Sequence, residues 1–257
     1  MKKQLLMICA LLFSFGAMAQ NGPQVTYRDG TVEGIDSSGV AIFRGVPFAQ
    51  PPVGKLRWQA PQPVKAWDGV RSAKAFGPDP IQYNVFGDMV FEGKGQSEDC
   101  LYLNIWTPAK EASAKLPVLI YFNGGGLVSG SASEPRYQGL RLARRGDIIV
   151  VTANYREGIF GFFSYPELTK EGCHGNQGWL DQAAAIKWVK DNIAAFGGDP
   201  DRITIMGESA GSMSVSALMA SPLTRNIISQ AMASSGSVLG SRPVLSLKEA
   251  EEAGVET

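Results

Sequence analysis

The chain of 257 residues is 44% hydrophobic and 19% charged, the balance of an ordinary globular protein, and is long enough for one large domain or two small ones. Lysine plus arginine equals aspartate plus glutamate at 24 each, and no run of five like charges occurs, so the clustered positive face of a nucleic-acid binder is excluded. A single histidine, His174, excludes a cysteine–histidine zinc site. Residues 1–19 read as a secretory signal peptide: Lys2 and Lys3, an apolar stretch from Leu5 to Phe15, then Ala17-Met18-Ala19 before Gln20. Cleavage is expected after Ala19, with export to the periplasm or the exterior. The apolar part is short of the ~20 residues of a membrane span, and no later stretch reaches that length. Cys9 goes with the leader. Cys100 and Cys173 remain, and an oxidising compartment would permit them to pair, although sequence does not decide between free and bridged.

From Val25 to Phe48, short strands are broken by the turns Arg28-Asp29-Gly30 and Ser37-Ser38-Gly39, which predicts hairpins. Pro47, Pro51, Pro52, Pro61 and Pro63 then disfavour helix or central strand through to Trp67. Residues 76–99, rich in Gly, Pro and Asp, predict a long surface loop of the kind that is usually functional or mobile. After Pro117 come apolar runs: Val118 to Phe122, Ile148 to Ala153, Ile203 to Met206, and a weaker one from Gln230 to Ala233. Uninterrupted β-branched runs suggest parallel strands covered on both faces. Between them, Ile186, Val189, Ile193 and Phe196 mark one face of a helix over Asp181–Phe196, stopped by Gly197-Gly198-Asp199-Pro200. Alternating strand and helix gives a doubly wound α/β sheet. Ser246-Leu247-Lys248-Glu249 has the form of a helix capping box.

The chemistry centres on Gly207-Glu208-Ser209-Ala210-Gly211. A serine hydroxyl attacks only when an exposed turn presents it and a base takes its proton. A Gly-x-Ser-x-Gly run between strand and helix supplies such a turn. The bare pattern is weak, but Ile203 to Met206 is a strand candidate and the segment from Ala210 to Ala220 is free of proline. A second feature, Asn123-Gly124-Gly125-Gly126, directly follows the first buried strand. Acyl transfer builds an oxyanion that preset donors must meet. Glycines let bare N–H groups face it, joined by the N–H of the residue after the nucleophile, Ala210.

On these residues the chain resembles the type-B carboxylesterase family, the branch of α/β-hydrolases that includes cholinesterases. The resemblance runs from about Val25 to Ser237. It rests on Phe43-Arg44-Gly45-Val46-Pro47-Phe48-Ala49 with Pro51-Pro52-Val53-Gly54, on Ser97 to Asn104, and on Asn154-Tyr155-Arg156 with Asp181-Gln182. Phe196 to Pro200 and Glu208-Ser209-Ala210-Gly211 complete it.

The resemblance implies an α/β-hydrolase fold: a mostly parallel sheet flanked by helices, with antiparallel hairpin strands at its start. It implies Ser209 as the catalytic nucleophile, Gly125, Gly126 and Ala210 as oxyanion-hole donors, and Arg57 with Glu98 as a structural ion pair. Glu208 is read as structural. The implied substrate is a small-molecule carboxylic ester, with no metal or organic cofactor; the oligomeric state is open. Asn123 stands where many members carry histidine and cholinesterases carry tyrosine. The loop Gly77 to Gln82 lacks the cysteine to which the Cys100 equivalent is often bridged.

Family members are roughly twice as long, with the triad in the order serine, acid, histidine. His174 precedes Ser209 and matches no catalytic position, and Glu249, Glu251, Glu252 and Glu256 cannot be told apart as the acid. The acid and the histidine are therefore expected beyond Thr257, with 20–257 the N-terminal portion of a single hydrolase domain that by itself turns over little. The alternatives are a non-catalytic, cholinesterase-like binding or adhesion protein and an inactive fragment.

Overall fold

The computed structural model describes residues 22–240 and 244–256; the expected signal peptide lies outside them. Twelve strands and six α-helices are present among the described residues. In chain order the strands are β1 (Gln24–Tyr27), β2 (Gly30–Glu33), β3 (Ile35–Ser37), β4 (Val40–Pro47), β5 (Val70–Ser72), β6 (Asp79–Pro80), β7 (Gln96–Ser97), β8 (Tyr102–Thr107), β9 (Leu116–Phe122), β10 (Ile149–Ala153), β11 (Gly198–Glu208) and β12 (Gln230–Ser234). The helices are α1 (Leu140–Gly146), α2 (Gly158–Phe162), α3 (Pro166–Lys170), α4 (Gln177–Asn192), α5 (Ala210–Ala220) and α6 (Leu247–Val255).

Seven strands form the central sheet in the order β12-β11-β9-β10-β8-β4-β3. The run β12-β11-β9-β10 is parallel, and each return crosses through helix: α1 after β9, α4 after β10, α5 after β11. This is the connection that parallel neighbours require. From β10 outward through β8, β4 and β3 every pairing is antiparallel, so the antiparallel part reaches beyond the first hairpins to include β8. The hairpin β1–β2 belongs to a separate three-stranded sheet with β5.

The core follows the apolar runs. Val118, Ile120 and Phe122 of β9, all five residues of β10, and Ile203 and Ile205 of β11 are buried. The helix expected over Asp181–Phe196 begins earlier, at Gln177. It ends as α-helix at Asn192 and tightens into a 3₁₀ turn over Ile193–Phe196, which Gly197 closes at φ 84°. Ile186, Val189, Ile193 and Phe196 are all buried against the sheet, as their spacing requires. Each such side chain withdrawn from water contributes about 1.5–3 kcal/mol.

Two expectations are modified. The residues 76–99 form a long connection, but it is tied down: Asp79 is buried, and its Oδ1 accepts from Ser131 Oγ (2.5 Å) and Ser133 Oγ (2.7 Å). The run from Gln230 forms the edge strand β12, yet all five of its residues are exposed, so it is covered on neither face. Cys100 and Cys173 are both buried and free. No helix among the described residues is long and apolar enough to cross a membrane.

Candidate active site

β11 ends at Glu208, α5 begins at Ala210, and Ser209 alone makes the turn, at φ 55° and ψ −119°. A non-glycine residue there is strained, and such strain persists only where the surroundings over-determine it. They do so here. Ser209 N donates to Ser234 O (2.9 Å), and Ser209 O accepts from Met213 N (3.0 Å). The flanking glycines are required sterically: a Cβ on Gly207 would lie 2.3 Å from the carbonyl of Gly211, and one on Gly211 would lie 2.3 Å from Phe122 O. Gly211 thus presses α5 against the end of β9, the strand from which the glycine loop departs.

In that loop Gly125, Gly126 and Leu127 take positive φ in succession, at 108°, 69° and 64°. Gly125 O accepts from Val128 N and Ser129 N, and Leu127 O accepts from Gly158 N (2.8 Å). Among the described residues the N–H groups of Gly125, Gly126 and Ala210 have no acceptor. Gly125 and Ala210 are buried, where an unpaired N–H is rare. Ser209, Gly126, Ala210, Leu127, Met213 and Gly236 share an open depression of about 280 Å³ with no charged side chain in its wall; Gly125, next to Gly126 in the chain, is not part of the lining. A larger depression, about 470 Å³, opens between residues 60–64 and α4 and does not include Ser209.

Beneath the loop lies a buried polar layer. Asn123 Nδ2 reaches Gly124 O (3.0 Å), Glu157 Oε1 (3.0 Å) and Tyr155 Oη (3.3 Å), while the Tyr155 hydroxyl donates to Asn123 O (2.9 Å). Glu157 is 1% exposed; burial pushes its carboxyl well above the usual range, against the opposing hydrogen bonds of Asn123 and Tyr155. Burial likewise drives the Tyr155 hydroxyl upward. Between them, Arg156 forms a buried bidentate pair with Asp181 of α4 (2.8 and 2.7 Å), which also accepts from Arg156 N (3.0 Å). From above, Gln82 brackets Gly130: its Oε1 accepts from Gly130 N (2.6 Å) and its Nε2 donates to Gly130 O (2.8 Å).

Only some of the residues singled out in the sequence come together. Ser209, Gly126 and Ala210 line one depression, with Gly125 adjoining. Arg57 and Glu98 meet in a bidentate pair (2.5 and 2.6 Å). Glu208 is exposed. His174 is exposed in the turn before α4, and Glu249, Glu251, Glu252 and Glu256 lie on or beside α6. No described residue hydrogen-bonds Ser209 Oγ. Glu157 and Gln82 were not legible as site residues. The one available signal for Glu157 was a carboxylate directly after the Asn154-Tyr155-Arg156 block that follows a wholly buried strand.

The fold and the strand–serine–helix turn define a class, and comparison with known proteins agrees. The carboxylesterase family profile matches residues 21–252, and the chain belongs to that family. Among individual relatives, it is 46% identical over 235 residues to the fumonisin B1 esterase of Sphingopyxis macrogoltabida, covering 89% of this chain and 42% of that one. It is 45% identical over 215 residues to the para-nitrobenzyl esterase of Bacillus subtilis, covering 82% and 43%. A solved thermophilic PNB esterase superimposes with a TM-score of 0.83 at 40% identity, covering 90% of this chain and 47% of that one. A Geobacillus stearothermophilus carboxylesterase does so at 0.77 and 46%, covering 83% and 44%. These esterases share the α/β-hydrolase fold, and the chain spans a little under half of their length.

Proposed function

We propose that this chain is the N-terminal part of an exported serine carboxylesterase in which Ser209 forms the acyl-enzyme. The observation that carries the reading is the strained Ser209 turn beside three N–H groups without acceptors, those of Gly125, Gly126 and Ala210. Ser209 Oγ attacks the ester carbonyl, and the oxyanion that forms is met by those three donors. A histidine takes the serine proton and returns it to the leaving alcohol, oriented by a carboxylate; water then releases the acid. Both partners are expected from outside the described residues, in keeping with the absence of any hydrogen bond from His174 or the α6 glutamates to Ser209 among them. The uncharged wall formed by Gly126, Leu127 and Met213 suits a neutral ester, and the fumonisin B1 and para-nitrobenzyl esterases among its relatives favour the same class.

The leader over residues 1–19 is part of this reading, with 20–257 as part of one hydrolase domain. N-terminal sequencing of the exported protein should begin at Gln20. For activity, hydrolysis of a short-chain p-nitrophenyl ester is the test: negligible for the 257-residue chain and robust for a chain of the relatives' length. Robust turnover by the 257-residue chain would mean that the base lies within it.

A further inference from the structure

The polar layer beneath the glycine loop has no part in the reaction as drawn, yet it holds both ends of the loop. Tyr155 and Glu157 engage Asn123 at its start, and Gly158 N engages Leu127 O at its end. The Arg156–Asp181 pair anchors this segment to α4.

The key unit is the Gly124–Gly125 peptide. All peptide bonds described are trans, so its C=O and N–H point in opposite directions. With glycine on both sides the plane can rotate with little steric resistance, so something else must set it. The group on the Gly124 carbonyl is Asn123 Nδ2 at 3.0 Å, on the buried side. While that contact holds, Gly125 N–H is directed away from the interior. An asparagine amide has nearly the same shape turned end for end, and turned it would set Oδ1 against Gly124 O. What chiefly fixes its sense is Glu157 Oε1, an acceptor 3.0 Å from the same Nδ2, with the Tyr155 hydroxyl oxygen a longer second acceptor at 3.3 Å. Packing alone would not place a carboxyl here: Glu157 is 1% exposed, and its Oε2 has no hydrogen-bond partner among the described residues.

We propose that Glu157 is a positioning residue which, by accepting from Asn123 Nδ2, keeps the Gly124 carbonyl turned inward and the Gly125 N–H presented to the oxyanion. It rests on the reading of Ser209 as the acyl-forming nucleophile. The role requires an acceptor oxygen and not a charge, so glutamine serves and leucine does not.

The test uses a chain of the relatives' length and p-nitrophenyl acetate, with kcat, KM and thermal midpoint measured for each variant. Glu157→Leu should lower kcat by about tenfold to a hundredfold, up to but not beyond the lower end of the range for outright loss of an oxyanion donor, with KM held within about twofold. Glu157→Gln should stay within about threefold of the parent. Asn123→Ala should fall as Glu157→Leu does, and the double variant should fall no further, since both break one contact chain. A folded Glu157→Leu protein with parental kcat would overturn the proposal, as would a Glu157→Gln protein that falls equally far at an unchanged midpoint. If Glu157→Leu does not fold, Asn123→Ser carries the same test, and parental kcat there overturns it. Ester hydrolysis retained by Ser209→Ala would instead overturn the underlying reading, and this proposal with it.

Discussion

β11 and β12 are neighbours in one sheet and carry adjoining parts of one site, but they are built differently. β11 buries Ile203, Ile205 and Gly207 between β9 and the helices, and it delivers Ser209 into a turn that packing enforces. β12 pairs with it from Thr204–Gln230 to Glu208–Ser234, yet every β12 residue is exposed, Met232 at 55%. The carboxyl end of β12 nonetheless supplies Ser234 O to Ser209 N, and Ser235, Gly236 and Ser237 to the wall beside the serine. The serine and the candidate oxyanion donors therefore rest on the packed part of the sheet. Among the described residues, one wall rests on a strand that hydrogen bonding orders and side-chain burial does not.

That contrast can be broken by substitution. The largest effect is expected behind the glycine loop: Asp181→Leu leaves Arg156 buried without its partner and should cost about 3–5 kcal/mol in urea unfolding. A loss below 1 kcal/mol would mean that the pair does not anchor the loop. Next, in the 257-residue chain, Ile205→Ala on β11 should cost about 2–5 kcal/mol, whereas Met232→Ala on β12 should stay within about 0.5 kcal/mol. Equal costs would erase the distinction between the strands.

A subtler probe is pH. The Glu157 carboxyl is raised by burial, so its unfavourable ionisation is absent below the ordinary value of 4.5 and grows as pH rises through the shifted value. Glu157→Gln should therefore gain stability over the parent as pH rises, and a thermal-midpoint difference that does not change with pH would contradict this. The smallest effect is expected at α6, whose capping box joins Ser246 N to Glu249 Oε2 (2.7 Å) and Glu249 N to Ser246 Oγ (3.3 Å). Those bonds lower the Glu249 carboxyl, so the cap is complete above pH 4.5 and is lost as pH falls through the lowered value. Ser246→Ala should reduce helical circular dichroism slightly while leaving the unfolding midpoint of the core unchanged, because α6 buries no residue.

The sequence revealed what is local. The Gly-x-Ser-x-Gly turn, the glycine run after β9, the first hairpins and the Ser246 cap each depend on a few consecutive residues. The apolar runs of β9, β10 and β11 were visible because their buried residues are almost all aliphatic or aromatic, although Thr152 and Thr204 interrupt them and Thr204 and Met206 leave one face of β11 only partly buried. What sequence did not disclose is set by distant pairing. Asn123 and Glu157 lie 34 residues apart and meet because β9 and β10 are parallel neighbours whose carboxyl ends coincide. No periodicity marks that meeting. Gln82, in what read as a surface loop, reaches Gly130 for the same kind of reason. The exposure of β12 was hidden because Gln230 to Ala233, although a weaker apolar run, does not tell a covered strand from an uncovered one; burial depends on what packs there.

We propose Ser209 as a nucleophile held ready on the packed half of the site. Peptide mapping by mass spectrometry after fluorophosphonate treatment of a chain of the relatives' length tests it most directly. The adduct should lie on Ser209 and should be absent from the Ser209→Ala variant. Equal labelling of both, or an adduct on another residue, would contradict the account.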